Sequence, residues 1–207
     1  MGTMERRSSK SRPFSRDLEH WLKGDGDKTM AGLNRLFGEK TFAIAWLILM
    51  ALPALPLPTG GITHITEIIT MLLCLELIIG RRSIWLPRRW QGLNVGKLLS
   101  GKAGSKFIGF IVWFERLSRQ RWSSLLARQA VLSVVGVLVL GFTVAAFVAP
   151  PFSWLDTLPS LGVVVIALAL ILEDGLILLG GIIVGILGIG LEVAVGAALY
   201  DGIRHLF

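Results

Sequence analysis

Residues 53–87, PALPLPTGGITHITEIITMLLCLELIIGRRSIWLP, decide the fold of this chain. The segment opens with three prolines and two glycines, which interrupt a helix because proline lacks a backbone N–H and glycine is conformationally permissive. An apolar run at 62–80 follows, long enough to cross a bilayer core of about 30 Å at about 1.5 Å per residue. The run stops at a cluster of arginines. This order of turn, span and basic stop indicates a polytopic membrane protein.

Composition and charge support a membrane protein over a soluble one. Of the 207 residues, 53% are apolar and seven are Trp, which is more than soluble domains of this length carry. Lys and Arg lie mainly in 6–40 and 81–128 and are absent from 129–203. This segregation predicts that both basic segments lie on the cytoplasmic side, facing membrane lipids, and that the net charge of +7 does not serve nucleic acid. Cys74 stands alone, which excludes an internal disulfide.

The apolar runs predict an all-α polytopic bundle of about five spans, with four to six compatible with the pattern. The predicted spans are 41–57, 62–80, 130–149, 158–172 and 175–199. The run at 107–114 is too short to cross and is predicted to be interfacial or re-entrant. Two amphipathic segments, 15–23 and 28–37, are predicted to lie either on the cytoplasmic leaflet or on the protein's own cytoplasmic face.

A shift of about 94 residues aligns the two halves of the chain, placing Pro56 on Pro150 and Thr63 on Thr157. The predicted organisation is therefore a polar tail with a short amphipathic helix (1–27), a first membrane repeat (28–100), a basic linker (101–123) and a second repeat (124–207). Interrupted apolar segments at matching positions are typical of transporter sites, although any two membrane hairpins share this layout. The charge bias favours a parallel repeat, and re-entrant segments would instead allow an inverted one.

The proline-rich turn, the polar span and the closing Gly-Arg-Arg-x-x-Trp-Leu-Pro at 80–87 together resemble the ExoD family of bacterial membrane proteins. A second landmark is Leu158-Pro159 followed by an apolar run into Glu173-Asp174-Gly175, which is similar to the family's Leu-Glu-x-Asp-Gly step. This chain departs from the pattern at Ile84, where the family often has proline, and at the direct Glu173-Asp174 junction. The resemblance covers roughly 28–199. It implies an inner-membrane protein associated with exopolysaccharide synthesis, with polysaccharide synthesis or export proteins as partners.

Polar residues within the second predicted span are candidates for an intramembrane path, because such residues are costly in lipid. They are Thr63, His64, Thr66, Glu67, Thr70 and Glu76. At about 100° per residue, Glu67 shares a stripe with Thr63 and Thr70, whereas Glu76 points to nearly the opposite side. The functional interpretation is a proton or ion relay through Glu67, joined by His64. The structural alternative is a hydrogen-bond network that only holds the spans together.

A second set of acids accompanies the last two spans: Asp156, Glu173, Asp174 and Glu192. Glycines share a face of the last span with Asp174 and Glu192, namely Gly181, Gly185 and Gly188. Small residues allow close backbone approach, so this face is predicted to pack against a helix of the same chain or of a homodimer. The functional alternative places Asp174 and Glu192 at opposite mouths of an intramembrane path.

Four arginines after the second span, Arg81, Arg82, Arg88 and Arg89, are candidates for binding lipid or phosphate. The ordinary alternative is a positive-inside stop. The sequence contains no catalytic or metal-binding motif, so we expect no enzyme activity, no metal and no cofactor. Two classes of function remain: a transporter or proton/ion-coupled carrier, and a non-transporting scaffold or lipid-binding partner of the polysaccharide machinery.

Overall fold

Helices occupy the apolar runs and stop where proline, glycine or an acidic step interrupts them. The computed structural model describes residues 14–24, 28–56, 61–85, 94, 96, 101–118, 122–126, 128–150 and 153–204. Within these residues the helices are α1 (Phe14–Lys23), α2 (Met30–Phe37), α3 (Lys40–Met50), α4 (Ile62–Ile78), α5 (Lys102–Leu117), α6 (Ser123–Leu126), α7 (Gln129–Val148), α8 (Thr157–Leu172) and α9 (Gly175–Arg204). The described residues form no β-strand, only an isolated bridge between Thr29 and Asn94.

The proline turns shorten the first predicted span. α3 has only 11 residues, because Pro53 has no N–H to offer the carbonyl of Leu49 and its ring excludes a further helical turn. α7 similarly ends just before Pro150. The step between α8 and α9 is made differently: Glu173 adopts the left-handed conformation (φ 57°) and Asp174 accepts a hydrogen bond from the backbone N–H of Leu176 at 2.9 Å. Glu173 thus ends one helix and Asp174 caps the next.

The four longer apolar helices and α3 form an antiparallel bundle with α8 at its centre. Residues 163–172 of α8 are all buried except Val165, and α8 packs against α3, α7 and α9. α4 packs along α7 in the opposite direction, with Gln129 donating to the carbonyl of Leu77 at one end. We call that end the basic end; it also holds Lys40 and Arg82. The opposite end, with Met50, His64 and Asp156, is the proline end.

Glycines bring α9 against α8 at backbone contact distance. A Cβ on Gly181 would lie 2.8 Å from the backbone nitrogen of Ile166, and one on Gly188 would lie 2.6 Å from that of Pro159. A Cβ on Gly185 would meet the ring of Phe142 from α7. The predicted glycine face therefore lies inside this chain, against α8 and α7. The homodimer stays a prediction with no surface assigned to it.

Short helices cap the basic end of the bundle. Phe14, Leu18 and Trp21 of α1 turn inward and are buried, and the ring of Phe14 contacts that of Phe37 in a tilted arrangement, with 5.2 Å between ring centroids. Ser15 donates from both its backbone N–H and its hydroxyl to the carboxylate of Glu115 on α5. The first amphipathic segment thus docks on the protein itself, and its placement relative to the cytoplasmic leaflet stays a prediction.

Within the part of the chain that the structure describes, two helices are long and apolar enough to cross a membrane by themselves: α7, and α9 over Gly175–Ala198. The other three predicted spans correspond to α3, α4 and α8, with 11, 17 and 16 residues, shorter than the roughly 20 that a typical crossing uses. The segment predicted as interfacial is a longer helix, α5, of 16 residues. The all-α class is confirmed, whereas the five crossings and the internal repeat stay predictions.

Candidate functional site

A hydrogen-bonded acid–histidine pair lies at the proline end of the bundle. The side chain of Glu67 is completely buried, and its Oε2 lies 2.9 Å from Nδ1 of His64. The spacing of three residues along α4 brings these side chains together on one face. The His64 ring packs edge-to-face on Phe147 of α7, with 5.0 Å between ring centroids. The imidazole is thereby fixed between a carboxylate and an aromatic ring, about one-third exposed.

Several oxygens at the proline end are buried with no hydrogen-bond partner among the described residues. They are Glu67 Oε1, Thr157 Oγ1, Ser160 Oγ and Glu192 Oε1. A buried oxygen without a partner costs roughly 1–3 kcal/mol, and native proteins hold only a few of them. Bound water or another small polar species at this end of the bundle would satisfy them.

The structure brings two acids of the second predicted set to this pair. Asp156, which directly precedes α8, interacts electrostatically with His64 and Glu67, and also with Glu192 of α9. Burial raises the pKa of Asp156, opposed by hydrogen bonds from backbone N–H groups and by the charge of His64. We call His64, Glu67, Asp156 and Glu192 the acid–histidine cluster. Three separate helical segments supply its members.

The threonine hydroxyls of the predicted path donate to the backbone. Thr66 donates to the carbonyl of Thr63 at 2.8 Å, and Thr70 donates to that of Thr66 at 2.9 Å. Thr143 of α7 does the same with Val139 at 2.7 Å. Thr70 and Thr143 are buried, whereas Thr66 is partly exposed. All three hydroxyls can still accept a hydrogen bond, but their protons are already used. Thr70 and Thr143 therefore present acceptors to the interior of the bundle.

The remaining predicted acids lie at the basic end, away from Glu67. Glu76 accepts a hydrogen bond from the backbone N–H of Trp85 at 2.7 Å and so fixes the segment that follows α4. Glu173 pairs with Lys40 at 2.6 Å, and both side chains line a cavity of about 90 Å³ together with Glu39, Ser123 and several apolar side chains. Asp174 accepts from the hydroxyl of Ser118 at 3.1 Å. These acids tie chain segments together instead of extending the cluster.

Two of the four arginines of the predicted lipid or phosphate site lie within the described residues, and the site stays a prediction. Arg81 is exposed, and Arg82 pairs with Glu39 at 3.2 Å. Arg88 and Arg89 lie outside the described residues. Among those residues, no group of three or more His, Cys, Asp and Glu has an arrangement that could hold a metal ion.

Sequence reasoning missed three members of the surroundings of this cluster: Thr143, Phe147 and Ser160. Thr143 and Ser160 are completely buried, and Phe147 supports the His64 ring. The one available signal was the spacing of Asp156 and Ser160, one helical turn apart at the start of α8. The aromatic contact of Phe147 leaves no local trace in the sequence, because it joins residues 83 positions apart.

Comparisons with known proteins agree with the family resemblance seen in the sequence. A family model described as "Exopolysaccharide synthesis, ExoD" matches residues 14–194. An uncharacterized protein of Synechocystis sp. is 26% identical over 195 residues, covering 91% of this chain and 90% of that protein. No solved structure gives a significant match.

Proposed function

Since the chain belongs to the ExoD family, we propose that it is a multi-pass protein of the bacterial inner membrane that supports exopolysaccharide synthesis as a proton- or ion-coupled carrier. The two apolar helices α7 and α9 and the family indicate a membrane protein. In this proposal the basic end faces the cytoplasm together with the N-terminus, and the proline end faces the opposite compartment. The carrier works without an enzymatic step or a cofactor.

Complete burial of Glu67 beside His64 is the observation that carries the proposal. A carboxylate inside a membrane protein faces an interior or a water-filled cavity and commonly marks a proton or ion route. Here it has one oxygen on His64 and one without a described partner, so the carboxylate can take up a proton without breaking the histidine contact. In the proposed carrier, Asp156 and Glu192 connect the Glu67–His64 pair to the surface of the proline end, where protons would enter or leave.

Glu67→Gln tests the relay, because the amide keeps the size and hydrogen bonding of the carboxylate but does not titrate. The purified protein is reconstituted in vesicles, and proton flux is followed with an internal pH-sensitive dye across a pH series. We expect the Gln variant to fold and to lose its pH-dependent flux. Glu76→Gln is the matched control on the same helix, because its amide oxygen can still accept from Trp85; this variant should keep the flux. Unchanged flux in Glu67→Gln would refute the carrier.

A second candidate is a non-transporting scaffold or lipid-binding partner of the polysaccharide machinery. The observation that favours it is the exposed surface of the basic end, where Arg81 and Trp85 face outward. In a scaffold the cluster around Glu67 is only an internal network. Glu67→Gln should then leave exopolysaccharide production unchanged in cells and act, if at all, through lower thermal stability.

A further inference from the structure

α5 has two faces with different surroundings. Its inner face packs on the protein: Ile111 is buried, Ile108 and Phe114 pack against the core, and Glu115 accepts from Ser15 of α1. At about 100° per residue, Ile108, Ile111 and Glu115 lie within about 60° of one another. A helix with such a docked face is held in a fixed orientation, and so the direction of its other face is fixed as well.

The outer face of α5 carries an exposed apolar stripe flanked by cations. Phe110, Trp113 and Leu117 are exposed by 39%, 59% and 69%, and they lie within about 60° of arc, nearly opposite the inner face. Lys106 falls in the middle of this arc, and Arg116 lies about 60° from Trp113. Phe114 makes T-shaped contacts with the rings of Phe110 and Trp113, both at 4.9 Å, and so supports them from behind.

Nothing among the described residues neutralises these two cations, since the ion pairs found there include neither Lys106 nor Arg116. A hydrogen bond fixes the position of α5 along the axis of the bundle. Ser118, which follows α5 directly, donates to Asp174 at the start of the apolar helix α9. The C-terminal end of α5 therefore lies level with the basic end of that helix. In a bilayer this is the boundary between acyl chains and headgroups, where Trp and cations with long apolar stems are favoured.

We propose that the outer face of α5 binds anionic phospholipid at the cytoplasmic surface of the membrane. Phe110, Trp113 and Leu117 enter the boundary of the acyl chains, and Lys106 and Arg116 contact the phosphodiester groups. Two cations without an ion-pair partner among the described residues, beside an exposed apolar stripe, match this one ligand, which presents a negative headgroup above an apolar chain. The inference goes beyond the proposed carrier: it depends on membrane placement and would stand if the Glu67 relay were refuted.

The test measures which lipid touches Trp113. The full-length protein is reconstituted in vesicles of brominated phosphatidylglycerol or brominated phosphatidylcholine, because bromine quenches tryptophan fluorescence on contact. Subtracting the signal of Trp113→Phe isolates Trp113 from the other six tryptophans. In mixed vesicles we expect quenching by the brominated glycerol lipid to exceed that by the brominated choline lipid. Lys106→Gln with Arg116→Gln should lower this preference by about five-fold for each cation removed.

Lys23→Gln is the matched control, because Lys23 is an exposed cation of the same cap that pairs with Glu19 at 3.7 Å. This variant should keep the lipid preference. The proposal is wrong if neither brominated lipid quenches Trp113, since a protein partner or a second copy would then cover α5. Equal quenching by both lipids, or a preference that survives removal of both cations, would also overturn it. None of these outcomes depends on proton flux.

Discussion

Gly188→Ala should destabilise the protein, although alanine is ordinarily the better helix residue. A Cβ at this position would lie 2.6 Å from both the backbone nitrogen and Cδ of Pro159, and 2.9 Å from Cβ of Leu158. These atoms belong to the start of α8 and cannot rotate away. The methyl group would therefore push α9 away from α8 along the most extensive helix contact in the bundle.

The magnitude is best defined against Gly190→Ala on the same helix. A Cβ on Gly190 meets nothing within 4 Å, so that substitution adds only the helix propensity of alanine, roughly 0.5–1 kcal/mol. Both variants gain this propensity, and it cancels in their difference. What remains is the overpacking cost at Gly188, about 1–3 kcal/mol. At about 2–4 °C per kcal/mol for a chain of this size, the two melting temperatures should differ by roughly 2–12 °C.

Cys74 provides the assay, because this completely buried thiol becomes reactive only when the bundle opens. A thiol-reactive fluorophore in detergent therefore reports unfolding of both variants during a thermal ramp. The order expected is Gly188→Ala below wild type and Gly190→Ala at or above it. Equal melting temperatures for the two variants would refute the close contact between α8 and α9.

Two further predictions address topology and pH. Single cysteines at Ser9 and Ser105, in a Cys74→Ser background, should react with an impermeant reagent from the same side of the membrane, because both lie in basic segments. Labelling of the two positions from opposite sides would overturn the proposed orientation. Burial raises the pKa of Asp156 above its value of about 3.9 in an unfolded chain, so its contribution to stability is present at low pH and is lost as pH rises through the folded pKa. The asparagine of Asp156→Asn does not titrate, so this substitution should remove that part of the pH dependence of the melting temperature. Identical pH profiles for the variant and the wild type would contradict the prediction.

The local parts of the fold could be predicted from sequence because they depend on neighbours along the chain. Pro53, Pro150 and the Glu173-Asp174 step end helices for reasons contained in a few residues. The pairing of His64 with Glu67 follows from their spacing on one helix. The length of α3 was overestimated, because its apolar composition continues past the point where Pro53 stops its hydrogen bonding.

Contacts between distant segments could not be predicted in the same way. Helical periodicity placed Glu67 on one stripe and Glu192 on another, but it contains no information about which helices face each other. Asp156 joins both only because the proline turn returns the chain to the end of the bundle where α4 begins. Likewise, the glycines marked a close contact without identifying α8 as the partner.

The position of α8 at the centre of the bundle has a consequence for the order in which the bundle is assembled. α3 and α7 precede α8 in the chain, whereas α9, which covers its remaining side, follows it. Until α9 has been synthesised, Gly162 and the adjoining surface of α8 lack the glycines Gly181 and Gly185 that pack against them. We therefore expect α8 to reach its native packing only together with the 30-residue helix that follows it.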